Sequence, residues 1–382
     1  MIKRILEKEI DNKLFKGKAI IILGARQVGK TSLLRKKFSN NPDVLWLEGD
    51  NFETQQLFEN FTFSMAKMLI GNKKIIVIDE AQNILNIGIK LKIIIDQLPE
   101  VQIIATGSSS FDLANKINEP LTGRKWEYKL YPLSFSEMVA HHGFWEERKM
   151  LEQRLIFGYY PEVVVQQEED TVTILQSLAS SYLYKDVLTW ENIQKSDKLI
   201  KLLQALAFQA GAQFSYTELG NLCGLDAKTV EKYLTLLEQA FVVFRLNSFS
   251  RNLRNELKFS KKIYFYDNGI RNALIANFNP VNLRDDIGAL WENFLLSERV
   301  KQNHYNRSYA NSWFWRTQTR KEIDYLEEKN GKLSAFEFKW NPKKSTKAPT
   351  DFSKTYPDAE FAVITPENFH EFIGLDFHNP QI

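Results

Sequence analysis

The sequence predicts an α/β protein built on a parallel sheet, with helical and α+β parts behind it. Three observations predict this. The apolar run Ala19 to Leu23 is followed by a glycine loop, GARQVGKT, and then by a helical pattern from Ser32 to Phe38. The runs Ile75 to Ile78 and Val101 to Ala105 are apolar throughout, as strands are when helices cover both faces of a sheet. Towards the C-terminus, alternating segments flank Asn330-Gly331, a strong hairpin-turn signal.

With 382 residues, the chain is long for one domain, and two or three are expected. At 44% hydrophobic and 25% charged residues it can bury substantial cores. A net charge of +3 is too mild to mark a nucleic-acid binder, so any such signal must come from local clusters. The single cysteine, Cys223, excludes an intramolecular disulfide or a cysteine metal cluster and fits a cytoplasmic protein. The opening MIKRILEKEIDNKLF has near-helical apolar spacing interrupted by charges, unlike a signal-peptide core. No run approaches the roughly 20 apolar residues of a membrane helix, and no membrane partner is expected.

The first helix leads into the strand Ala19 to Leu23 and the loop Gly24 to Thr31. Gly24 and Gly29 let successive N–H groups turn inward on phosphate oxygens, and the helix that follows adds its positive end. Ala25, Arg26, Gln27, Val28 and Ser32 complete this nucleotide-binding segment. Lys30 would reach the terminal phosphates, and the Thr31 hydroxyl would ligate Mg²⁺. Val44 to Leu47 is the next strand. Ile75 to Ile78 then ends in Asp79-Glu80. Asp79 would hold Mg²⁺ through water, and Glu80 would polarise the attacking water. Both belong at the carboxyl end of a strand beside the phosphate loop.

Val101 to Ala105 ends in Thr106-Gly107-Ser108-Ser109-Ser110. A hydroxyl there can sense the terminal phosphate or hold the lytic water, Thr106 first and Ser108 second. A serine-rich helix cap is the competing reading. Arg124, after a short helical segment, could stabilise charge on the cleaved phosphate from the same or a neighbouring subunit, or be a surface arginine. Taken together, GARQVGKT, IIVIDEAQ, IIATGSSS and LTGRKWEYKLYPLSFSE resemble the bacterial and archaeal AAA-type ATP-binding proteins that carry a C-terminal domain of unknown function. The resemblance implies a P-loop AAA-type core that binds ATP with Mg²⁺ and hydrolyses it.

Ser136 to Leu206 is mostly helical, with a break at Gly158-Tyr159-Tyr160-Pro161 and a solvated acidic loop at Gln166 to Asp170. Tyr216 to Leu222, a Cys223-Gly224-Leu225 turn and a helix capped by Asp226 precede strands at Phe241 to Leu246 and Lys262 to Tyr266. That order is a winged helix-turn-helix. Arg251, Arg254, Lys258, Lys261 and Lys262, opposed by Glu256, form a local positive cluster that could track a phosphate backbone. The competing reading is a protein-interaction or spacer module with solvated lysines.

Asp267-Asn268-Gly269 ends the wing strand in a turn, and Asn272 to Ile287 is an irregular link. A helix from Gly288 to Gln302 bears Glu292. Strands follow at Trp313 to Arg316, Glu322 to Glu328 and Leu333 to Trp340. Helix with Glu, strand with Asp, then Glu-x-Lys on the partner strand resembles the PD-(D/E)XK nuclease fold. In that resemblance Asp324, Glu337 and Glu292 would hold Mg²⁺, and Lys339 would position a water. Lys343, Lys344 and Lys347 are a phosphate-facing loop by the same reading. Solvated hairpin faces are the plain alternative.

These readings divide the chain at 1–135 (ATPase domain), 136–198 (helical lid or linker), 199–266 (winged helix) and 267–382 (nuclease-like domain). The expected function is an ATP-hydrolysing switch or motor acting on DNA, working as a homo-oligomer if Arg124 acts between subunits. The alternative is an ATP-dependent switch that recognises a protein partner through a catalytically silent nuclease-like domain.

Overall fold

A computed structural model describes residues 2–108, 117, 120–166, 168–182, 196–249, 261–317, 319, 321–344 and 346–375. Ser109, Ser110, Arg251, Arg254, Glu256 and Lys258, named above, lie outside the described residues. The chain divides into two compact units, the first built mainly from residues up to Leu133 and the second mainly from Ser134 onward.

The first unit holds a five-stranded sheet in the order β2-β3-β4-β1-β5. The strands are β1 (Ala19–Leu23), β2 (Val44–Glu48), β3 (Ile75–Asp79), β4 (Gln102–Gly107) and β5 (Lys125–Lys129), and all pair in parallel. β1, β3 and β4 are fully buried along their length, which is why they are near-continuous aliphatic runs. β5 lies at the sheet edge and keeps Lys125, Glu127 and Lys129. The helices Lys30–Phe38, Phe63–Ile70 and Ile87–Gln97 connect the parallel strands.

The second unit opens with helices Phe135–His142, Phe144–Lys149, Leu151–Phe157, Pro161–Val165 and Glu168–Ser177. The last of these begins at Glu168, within the acidic loop expected at Gln166 to Asp170, and acidic residues such as Glu169 and Asp170 suit a helix N-terminus. Next come helix Ser196–Phe208, β6 (Gln213–Phe214), helices Tyr216–Cys223 and Ala227–Gln239, β7 (Val243–Asn247) and β8 (Lys261–Phe265). β6, β8 and β7 form one antiparallel sheet. Asp226 caps its helix by accepting the Thr229 N–H at 2.9 Å.

Asn268–Leu274 is a helix, where a turn and an irregular link were expected. Asp267 accepts the Ile270 N–H at 3.1 Å and starts it. Helix Ile287–Tyr305 then precedes β9 (Asn311–Arg316), β10 (Glu322–Lys329), β11 (Lys332–Phe338), helix Thr350–Thr355 and β12 (Glu360–Ile364). Their sheet runs β12-β11-β10-β9, antiparallel except for the β11–β12 pair. Among the described residues no helix is long and apolar enough to cross a membrane.

Candidate functional sites

In the first unit, β1 delivers the chain to the glycine loop. A Cβ on Gly24 would lie 2.1 Å from the Leu130 carbonyl oxygen, so only glycine fits. Gly29 has φ 94° and Gln27 φ 57°, left-handed conformations that turn the loop back before the helix begins at Lys30. Val28 and Ala25 are buried beneath it. Arg4 braces the loop from outside, donating to the Val28 and Tyr131 carbonyls at 2.7 Å each. The Lys30 amine folds over the loop and donates to the carbonyls of Gly24 (2.9 Å) and Ala25 (2.8 Å). Thr31 and Ser32 occupy the first helical turn.

β4 lies between β1 and β3, so the β3 tip stands about 10 Å of sheet from the loop. The Thr106 hydroxyl donates to Asp79 Oδ1 at 2.5 Å and accepts the Glu80 N–H at 3.0 Å. One side chain of β4 therefore ties the Asp79 carboxylate to the Glu80 backbone at the end of β3. Glu80 has φ 49°, which turns the chain sharply after the strand. The Gln82 amide donates to Glu80 Oε2 at 2.5 Å and to Ser108 Oγ at 3.1 Å. Thr106, Ser108, Asp79 and Glu80 thus form one hydrogen-bonded set at the carboxyl edge of the sheet, where Gly24 N–H reaches the Gly107 carbonyl at 3.3 Å.

Sequence reasoning missed Asp50. It follows β2, the neighbour of β3, and accepts from the Asn83 amide. Desolvation raises its pKa, the nearby Glu80 carboxylate adds to this, Arg26 opposes and Asp79 adds again. Gly49 permits the approach, because a Cβ there would lie 2.3 Å from the Glu80 carbonyl oxygen. The signal was present: VLWLEGD, like IIVIDE, is an apolar strand ending in acid.

Arg124 is placed elsewhere. Its carbonyl accepts the Ala19 N–H at 2.9 Å, at the amino end of β1, and its guanidinium pairs with Asp96 at 2.6 Å. The five residues of β1 put it about 16 Å from the loop, on the opposite edge of the sheet. It does not face the phosphate loop of its own chain.

The second unit gathers another charged group. Asp324 sits where the β9–β10 register shifts, between Ile323 and Leu326, and such irregularities re-aim side chains. Its carboxylate accepts the Phe338 N–H at 2.8 Å. The Tyr325–Phe336 register sets Asp324 beside Glu337, whose carboxylate accepts from Lys339 at 2.6 Å. Glu292, from the long helix, accepts from the Tyr264 hydroxyl at 2.6 Å and from Lys262 at 3.1 Å. Lys262 also pairs with Glu322 at 2.5 Å. Burial pushes Glu292 up to about 7, with Lys262 opposing and Asp324 adding. Burial likewise raises Asp324 and Glu337.

Lys262 therefore differs from its expected place in a local positive cluster able to track a phosphate backbone. It is 2% exposed and held by acids. Lys261 donates to the Tyr216 hydroxyl at 2.8 Å. Among the described residues, no three His, Cys, Asp or Glu side chains gather as a metal-binding group. The nucleotide loop needs no such cage, because Mg²⁺ travelling with phosphates takes few protein ligands. The acids around Asp324 do need one, and an ammonium already satisfies Glu292 and Glu322.

Three family models match in succession: an AAA domain over residues 16–139, a domain of unknown function (DUF8612) over 148–281 and a second (DUF4143) over 287–374. An uncharacterized protein of Mycobacterium tuberculosis is 26% identical over 331 residues, 85% of this chain and 71% of the relative. One from Methanocaldococcus jannaschii is 24% identical over 350 residues, 85% of this chain and 75% of the relative. The fold is similar to that of a Walker-type ATPase of Pyrococcus abyssi, with TM-score 0.52 and 17% identity over 72% of this chain and 96% of that one. The chain thus carries an AAA-type P-loop ATPase-like domain, followed by two domains of unknown function.

Proposed function

We propose that this protein is a Mg²⁺-dependent ATP-hydrolysing switch whose second unit recognises a macromolecular partner. The observation that carries it is the Thr106 hydroxyl tying Asp79 to Glu80 beside the glycine loop. Lys30 would exchange the Gly24 and Ala25 carbonyls for phosphate oxygens, a charge-assisted contact. The loop amides and the helix that begins at Lys30 bind the phosphates. Thr31 and Asp79 would hold the Mg²⁺, which neutralises charge on the transferring phosphoryl group. Glu80 takes a proton from the attacking water, with its carboxylate aimed by Gln82. Arg124 serves a neighbouring copy if it serves any, since it faces away from its own loop.

The element order from Ser196 to Phe265 supports a winged helix, and the helix, three strands, helix and strand that follow support a nuclease-like fold. Two kinds of partner fit. DNA is the first reading. The sequestered Lys262 favours the second, a protein recognised through a catalytically silent nuclease-like domain. Calorimetry with ATP and Mg²⁺ tests the site: wild type binds, and Lys30→Ala weakens binding roughly 10- to 100-fold, the value of charged hydrogen bonds. Absence of binding by folded wild type ends the proposal. Turnover with and without duplex DNA separates the partners, rising for a DNA-directed switch and staying flat for a protein-directed one.

A further inference from the structure

The Lys262 side chain has an unusual setting for a lysine on a central strand. It projects from β8, in the three-stranded sheet, into the acids of the four-stranded sheet and its helix. Its ammonium lies 3.1 Å from Glu292 on the helix and 2.5 Å from Glu322 on β10. Tyr264, two residues along the same strand and so on the same face, donates to Glu292 at 2.6 Å. Arg316 on β9 pairs with the other Glu322 oxygen at 3.2 Å. Lys339 takes Glu337 at 2.6 Å, and the Phe338 N–H takes Asp324. Each carboxylate that a nuclease-like fold would offer to a metal is thus engaged by the protein.

Removing an ammonium from water is costly unless it is paired and hydrogen-bonded, and Lys262 is 2% exposed. Burial opposes its charge, yet Glu292, Glu322 and Asp324 outweigh burial and raise its pKa. It stays cationic at neutral pH. A divalent ion arriving at Asp324 and Glu292 would meet that fixed positive charge at short range, where repulsion is strong.

We propose that the Lys262 ammonium is the resident cation of this acidic group. It excludes divalent metal and makes the C-terminal domain a metal-independent module fastened to the three-stranded sheet. The inference concerns the second unit alone and stands whether or not the first unit hydrolyses ATP. It makes the domain silent as a metal nuclease for a reason written in one side chain, and predicts that the metal site is latent.

Mn²⁺ binding to the nucleotide-free, full-length protein tests this, with free Mn²⁺ read by electron paramagnetic resonance. The nucleotide site is common to all variants, so differences report the second unit. Wild type and Asp324→Asn should bind the same number of ions. Lys262→Met should bind one more with oxygen ligands freed, and Lys262→Met combined with Asp324→Asn should lose it again. An extra ion in wild type relative to Asp324→Asn overturns the proposal. So does a folded Lys262→Met that gains none. If Lys262→Met does not fold, Lys262→Gln takes its place, and the wild-type comparison with Asp324→Asn still decides.

Discussion

The Gln82 side-chain amide donates to the Glu80 carboxylate at 2.5 Å, reaching back two residues along the chain. The same nitrogen donates to Ser108 on the neighbouring strand tip at 3.1 Å, so the acid is aimed from β4 as well as from its own turn. Replacing the acid should remove the base and leave the loop intact. Glu80→Gln is expected to bind ATP as wild type does and to lose about 10²–10⁴-fold in kcat. Gln82→Ala should lose less, about tenfold, with KM unchanged, since it removes aim and not the proton acceptor. Steady-state kinetics check both. Wild-type turnover in Glu80→Gln would remove Glu80 from the mechanism.

Arg124 gives a prediction about assembly. Its guanidinium pairs with Asp96 at the sheet edge opposite the loop, so its removal cannot disturb the ATP site of its own chain. Arg124→Ala is expected to turn over ATP like wild type at high dilution. At concentrations where copies associate, it should fall behind, by as much as about 10³-fold if the arginine completes a neighbour's site. Mixing Arg124→Ala with Lys30→Ala should then restore part of the activity, because each variant supplies what the other lacks. Equal turnover at every concentration would make Arg124 a surface residue.

The buried Glu292 sets a pH dependence of stability. Its folded pKa is pushed up to about 7 by burial, with Lys262 opposing and Asp324 adding, whereas an unfolded glutamate titrates at its ordinary value. Between those two values the folded protein binds more protons than the unfolded chain. Stability therefore declines as pH rises from the ordinary glutamate range to about 7. Glu292→Gln should flatten this slope. Chemical denaturation of both proteins at several pH values between those limits checks it, and identical slopes would remove Glu292 as the source.

The sequence carries the nucleotide loop openly because its determinants are local. Gly24, Gly29 and Lys30 lie within one strand–loop–helix passage, and Asp79-Glu80 closes the next fully buried strand. What stayed hidden depends on sheet order or on distant partners. Asp50 becomes a neighbour of Glu80 only because β2 pairs with β3. β5 escaped because an edge strand keeps charges that blur the apolar run. Lys262 looks like part of a basic wing until the folded chain sets Glu292 and Glu322 around it. The helix Asn268–Leu274 was masked by Asp-Asn-Gly, a turn signal that serves here as a helix cap.

That same cap explains the Gly158-Tyr159-Tyr160-Pro161 break. Asp267 accepts the Tyr159 N–H at 2.6 Å while it starts its own helix, so the turn and the helix share one buried carboxylate. Gly158 has φ 73°, and a Cβ there would lie 2.1 Å from Asp267 Oδ1. Tyr159 extends the tie by donating to Glu147 at 2.7 Å. Gly158→Ala must therefore strain the backbone and displace a buried acid together. Each term alone costs on the order of 1–3 kcal/mol, so a loss of more than about 2 kcal/mol is expected. The second unit should melt early while ATP affinity, which resides in the first, stays near wild type below the transition. Thermal unfolding and calorimetry with ATP separate these. A Gly158→Ala protein as stable as wild type would mean that the Asp267 tie is not what holds this turn.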